Sequence, residues 1–158
     1  MVRPMGRVIF IIIFLSLPSC ARNEGPLTTF GQKEFETLLN EVSEGWNNND
    51  AARAAAAFSP NAIYSEPPDK QLFIGRKALF EFFGGDNGRD VNMNMTWHHI
   101  VYNPETLIGA AEWTFIYQGE AAHGMVSIKV EDGLITNWRE YFYESPLEWD
   151  AFQGSNKF

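Results

Sequence analysis

Two short stretches of this sequence set an acid among aromatic rings. In Asn61–Gly75, NAIYSEPPDKQLFIG, Glu66 follows an aromatic-rich extended segment and precedes two prolines. In LITNWREYFY, Glu140 stands between Trp138 and Phe142 at strand spacing. Side chains alternate along a strand, so Trp138, Glu140 and Phe142 share one face, and Asn137, Arg139 and Tyr141 share the other. If the first face is concave, Glu140 is desolvated and its pKa rises. A second carboxylate nearby would raise it further and leave the pair holding one proton. Tyr64 alternates with Glu66 onto the same side, where its phenol could share that proton. Such a group suits acid–base work on a small molecule. Each acid also has a plainer reading, Glu140 as the partner of a basic residue and Glu66 as a charge on a solvated rim.

The histidines add one candidate. His98 and His99 are adjacent in an extended run, so they point to opposite faces and cannot ligate one metal together. By alternation His99 sides with Met95, Trp97 and Val101. There it would be either a pocket base or donor, or a satisfied core histidine. His123 has no spaced partner. Without HxxxH or CxxC spacing no metal site is expected, and without a Gly-rich phosphate loop or a G-x-S-x-G elbow no cofactor is expected either.

These residues sit in a chain of 158 residues, enough for one domain with a sizeable core. The first segment reads differently. MVRPMGR supplies Arg3 and Arg7, an apolar run follows from Val8 to Leu17, and PSCA closes the segment. This is the order of a secretory signal, and the run is shorter than the ~20 residues that span a bilayer. LPSC is similar to a bacterial lipoprotein cleavage box, which implies lipid attachment at Cys20, the single cysteine, and a protein exported to the cell envelope and anchored there, on the periplasmic side or in the outer membrane; the alternative is ordinary cleavage near Ala21 with Cys20 as an incidental thiol. The expected divisions are a lipoprotein-type signal at 1–19, a tether at 20–28, a domain at 29–150 and a tail at 151–158. Without Arg3 and Arg7, ten of the twelve Lys and Arg residues remain against twenty acids, a mature charge near −10. Such a surface repels nucleic-acid phosphates, so no nucleic-acid partner is expected.

Within the domain, Thr29 and Gln32 have capping-box spacing. Phe35, Leu38, Leu39, Val42 and Trp46 then recur at helical intervals. NNND ends this helix and offers Asp50 as cap of the next, AARAAAAF, whose small side chains suit close approach to a sheet. AIYSE is a brief strand that the prolines stop. GRKALFEFFGG is a third helix. Four long strands follow: MNMTWHHIVY, TLIGAAEWTFIYQ, AAHGMVSIKV and LITNWREYFY. Helices ahead of a meander must cover one face of it, giving an α+β cone on a strongly curved antiparallel sheet.

The stretches WNNND, AAFSPNAIYSEPP, GRKALFEFF and GLITNWREYF give the segment from Phe35 to Trp149 its likeness to a known group. It resembles the SnoaL-like domains of the NTF2-like superfamily, relatives of ketosteroid isomerase and limonene epoxide hydrolase. The isomerase branch implies a base directly before a proline with a glycine nine residues on, as Glu66, Pro67 and Gly75 provide. It also implies a tyrosine near Val42 and an acid near Val126, where this chain has valine. The epoxide hydrolase branch implies water-holding groups at the positions of Tyr64, Glu66 and Glu140. It also implies an Arg–Asp pair on the middle strand, where Glu112 is the one ionisable residue. The resemblance further implies dimerisation through an exposed sheet face.

Three functions are therefore expected. The first is a pocket protein binding a small, largely apolar molecule between Trp46, Trp97, Trp113, Trp138 and Phe142, with Glu66, Glu140, Tyr64 and His99 as polar points. The second is a cofactor-independent acid–base enzyme using Glu66 and Glu140. The third is a non-catalytic homodimerising domain.

Overall fold

The structure is a computed structural model and describes residues 30–67 and 70–157. The expected signal, Cys20, the tether and the Thr29 cap lie outside the described residues. Helix α1 (Gln32–Asn47) starts at Gly31, whose backbone N–H donates to Glu34 Oε2 at 3.0 Å. The described cap is formed by Gly31 and Glu34. Phe35, Leu39 and Val42 are fully buried, while Leu38 and Trp46 pack at the edge of the core. Asp50 caps α2 (Ala51–Ala56) as expected, its Oδ1 accepting from Arg53 N–H at 2.9 Å. The alanines of α2 serve a different neighbour from the one expected. They approach α1 most closely, so that a Cβ on Gly45 would stand 2.6 Å from that of Ala54.

Strand β1 (Phe58–Glu66) begins before the expected AIYSE and includes Pro60, which lies where the pairing register shifts between Phe58 and Ile63. A residue without an N–H is tolerated at such an irregularity. Strand β2 (Gln71–Ile74) was not legible in the sequence, because four residues with Leu72 and Ile74 exposed leave little pattern. After α3 (Arg76–Phe82) and a 3₁₀ turn (Gly85–Asn87), the expected meander forms as β3 (Met93–Asn103), β4 (Ile108–Tyr117), β5 (Glu120–Glu131) and β6 (Leu134–Glu144). Two of its three hairpins turn at Gln118–Gly119 and Asp132–Gly133, all four residues at positive φ, the backbone a two-residue hairpin requires.

The fold is α+β, as expected, with a mixed six-stranded sheet in the order β2-β1-β6-β5-β4-β3. Hairpin logic correctly makes β3 to β6 antiparallel. It cannot reach β1, which runs parallel to β6 and pairs Tyr64 with Trp138 and Ser65 with Arg139. The expected tail boundary at 150 falls inside α4 (Trp149–Phe152). Trp149 stacks on His98 at 4.1 Å and Phe152 on His123 at 4.3 Å, against the sheet face opposite Trp113 and Phe115. His123 Nε2 donates to Leu147 O at 2.8 Å, which leaves Nδ1 to accept from the Thr114 hydroxyl at 2.9 Å. Among the described residues no helix is long and apolar enough to cross a membrane.

One glycine shapes the concave face. Gly124 pairs with Trp113 on one side and Phe142 on the other, and a Cβ there would lie 2.5 Å from Trp113 Cζ2 and 2.6 Å from Tyr141 O. Gly124→Ala should therefore overpack this wall and destabilise the fold by about 1–3 kcal/mol. The check is the urea midpoint, and an unchanged midpoint would mean the indole has room to give.

Candidate functional site

The concave face of β6 presents Trp138, Glu140 and Phe142, as alternation demands. Glu140 is 6% exposed. The phenol of Tyr64 donates to Glu140 Oε1 at 2.5 Å, and the indole N–H of Trp138 donates to Oε2 at 3.0 Å. The parallel β1–β6 register makes this possible by setting Tyr64 beside Trp138, with their rings stacked at 5.4 Å and 9°. Burial pushes the Glu140 carboxyl from its ordinary 4.5 up to about 7; the two donors pull it down, and the Glu66 charge adds to the rise. Burial, followed by the Glu140 charge, holds the Tyr64 phenol well above its usual range. Acid and phenol thus form one buried unit with protons to share.

This unit lines an aromatic cavity of about 130 Å³. Trp46, Phe82, Trp113, Phe115 and Phe142 form its walls, and Met95 and Ala122 fill between them. Trp46 is held edge-on to Phe82, Phe83 and Phe115. Two buried polar atoms of lining residues, Trp113 Nε1 and Gln71 Oε1, have no hydrogen-bond partner. The cavity continues into a wider mouth of about 310 Å³, which shares Trp46, Gln71, Phe82, Phe115 and Phe142 and adds Arg89, Glu120 and Glu144.

The sequence-derived candidates divide. Tyr64, Glu140, Trp46, Trp113 and Phe142 meet at the cavity. Glu66 is buried on the adjacent strand and its charge is felt by Glu140, but it is not among the lining residues. Lys70 Nζ sits 3.1 Å from its Oε1. Glu66 is thus neither a rim charge in water nor a carboxylate facing the void. Trp138 is the floor beneath Glu140, and Trp97 donates its N–H to Leu39 O at 3.0 Å, fastening β3 to α1. Neither indole lines the cavity.

His99 is the clear departure. A bulge between His98 and Val101 breaks the alternation, and His99 takes φ 39°. Its Nδ1 lies 2.6 Å from Glu112 Oε2, with both side chains about one-third exposed and away from the cavity. Glu112, the acid of the middle strand, is therefore also outside. Val126 pairs directly with Glu140 and, like Val42, is fully buried, so neither position offers a polar group to the site. No cluster of His, Cys, Asp or Glu among the described residues could hold a metal. The sequence singles out neither Gln71, which lies on the unrecognised β2, nor Phe82 and Phe115, which lie within the third helix and the middle strand.

A family model described as SnoaL-like domain matches residues 39–138. The chain belongs to the SnoaL-like domain family. The match includes Tyr64 and Glu66 and stops two residues short of Glu140. Solved structures agree on the fold. A protein of unknown function with a cystatin-like fold from Methylobium petroleophilum PM1 is 22% identical over 77% of this chain and 82% of its own, with a TM-score of 0.64. A putative ketosteroid isomerase from Kribbella flavida DSM 17836 is 17% identical over 76% and 87%, TM-score 0.60. An LEH-like epoxide hydrolase of M. tuberculosis is 22% identical over 71% and 84%, TM-score 0.58. At such identities the likeness establishes the SnoaL-like cone and nothing finer. No curated protein matches the sequence.

The raised carboxyl makes stability depend on pH. Glu140 ionises near 4.5 in the unfolded chain and near 7 in the fold, so its contribution is fully present below about 4.5. It is lost as pH rises to about 7, a change on the order of 3 kcal/mol. Urea midpoints of the parent should fall across this window relative to those of Glu140→Gln. Parallel curves for the two proteins would rule out a protonated Glu140.

Proposed function

We propose that this SnoaL-like protein binds one small, largely apolar molecule inside the cone, against the Glu140–Tyr64 pair. A single observation carries the reading: an aromatic cavity with one buried, hydrogen-bonded acid, Glu140, at its wall. Apolar walls with a few convergent polar groups describe a small-ligand site. The cavity and its mouth together suit a one- or two-ring molecule better than a polymer. Isothermal titration with 2-naphthol, a neutral probe, should show saturable binding of one molecule per chain. Phe142→Ala, which opens the wall common to cavity and mouth, should weaken it about tenfold. No saturable heat and no shift in melting temperature would overturn the reading.

A second reading has its own support. A carboxyl near 7 sharing protons with a phenol is matched to proton transfer at neutral pH. On this reading Glu140 takes a proton from the bound molecule, or from a water beside it, and Tyr64 steadies the charge. Val42 and Val126 supply no donors for a developing oxyanion across the site, which favours binding over isomerisation. Glu140→Gln separates the two: an enzyme loses turnover while 2-naphthol binding persists, and the parent rate rises with pH through about 7 when Glu140 acts as the base.

Attachment to the cell envelope through Cys20 belongs to the same proposal and is supported by the sequence order of basic, apolar and small residues. Cys20→Ser should move the protein from the membrane fraction to the soluble fraction, and unchanged fractionation would remove the anchor.

A further inference from the structure

Arg89 is the cationic residue among the described residues lining the cavity mouth. Its side chain lies over two rings of the wall, with the guanidinium carbon 4.7 Å from the Trp46 ring centre and 5.5 Å from that of Phe82. Its Nε is buried and has no hydrogen-bond partner, and no described carboxylate pairs with it. The position is fixed from behind. Asn49 Oδ1 accepts from Arg89 N–H at 2.8 Å, and Asn49 Nδ2 donates to Arg89 O at 3.2 Å, clamping this loop to the turn between α1 and α2. Gly84 passes so near that a Cβ there would stand 3.2 Å from Arg89 Cγ, which keeps the stem against the end of α3.

We infer that Arg89 is the headgroup site for a carboxylate, and that the molecule held in the cone is a small aromatic or apolar carboxylic acid whose charged end stops at the mouth. This rests on the binding reading above. A guanidinium half out of water with a buried, unanswered N–H is an incomplete interaction, since buried polar groups are hydrogen-bonded and buried charge is paired. Arginine presents its donors as a planar fork that matches carboxylate bidentately. The two rings already hold that plane beside the route into the cavity. A more highly charged group fits less well. The chain carries a net charge of −8, and Glu120 and Glu144 stand at the same mouth. Both are exposed and neither pairs with Arg89, so water and salt screen them while the Arg89 guanidinium remains for a single negative charge.

The test uses the full chain and two probes of one shape, 2-naphthoate and 2-naphthol, titrated calorimetrically at pH 7.5. 2-Naphthoate should bind about tenfold or more tightly than 2-naphthol, the gain of one charge-assisted pair. Arg89→Gln should remove that advantage and leave 2-naphthol affinity within about twofold, and Arg89→Lys should keep part of it. Raising salt should weaken 2-naphthoate alone. Equal affinity of the parent for both probes, or equal losses for both in Arg89→Gln, overturns the carboxylate site and leaves the apolar pocket standing. Binding of neither probe overturns the pocket and the headgroup site together. Melting temperature confirms that each variant is folded, and Arg89→Lys serves if Arg89→Gln is not.

Discussion

The concave side of this fold is organised around keeping one carboxyl group away from water. A buried acid without donors is far less stable than the same acid in solvent, so the chain must supply partners or hold a proton there. It does both. Tyr64 and Trp138 each donate to Glu140, and burial keeps its affinity for a proton near neutrality. The stacked phenol and indole that make this possible require β1 to lie parallel beside β6 in one register. A slip by one residue would turn both rings to the opposite face. The helices then close the other side, with Trp46 of α1 and Phe82 of α3 completing the wall that Trp113, Phe115 and Phe142 begin.

Much of this was legible in the sequence because it depends on period. Alternation alone put Trp138, Glu140 and Phe142 on one face of their strand and Tyr64 with Glu66 on one side of theirs, and the structure brings Tyr64 and Glu140 together. Helical spacing found the buried stripe of α1, and Asp50 announced α2. What escaped depends on breaks in period or on partners distant in the chain. The bulge at His98–Val101 turns His99 outward to Glu112, and no count along the strand reveals an extra residue. Trp97 and Trp138 look like pocket walls to any reading that ranks rings by size. Which indole faces space and which donates to a carbonyl or a carboxylate is decided by tertiary register. Gln71 and Arg89 were invisible because one lies on a four-residue strand and the other in a polar loop.

The site is also defined by what surrounds it. Val42 and Val126 are fully buried, so neither brings a polar group to face the Tyr64–Glu140 pair. Glu66 is drawn towards Lys70, whose ammonium also lies 5.2 Å from the Phe142 ring centre, so this second acid acts on the first through its field. On the opposite face of the sheet, α4 lays Trp149 and Phe152 on two histidines bridged by Thr114. The two faces therefore differ in kind, the inner one carrying a lone proton-holding group and the outer one a chain of ring nitrogens and a hydroxyl.

The parallel seam between β1 and β6 has a consequence for biogenesis. Tyr64 and Glu140 are 76 positions apart, with almost the whole meander between them. Non-local pairings of this kind form late, after the entropy of closing a long loop has been overcome. A growing polypeptide therefore displays Phe58, Tyr64 and Phe82 well before their cover has been synthesised. Nothing resembling the chemical centre exists until the last strand docks. The same linkage works in reverse, since any opening that peels β6 away removes the acid, its indole floor and one aromatic wall in a single event. Whatever this centre does, it does only in a completely assembled molecule.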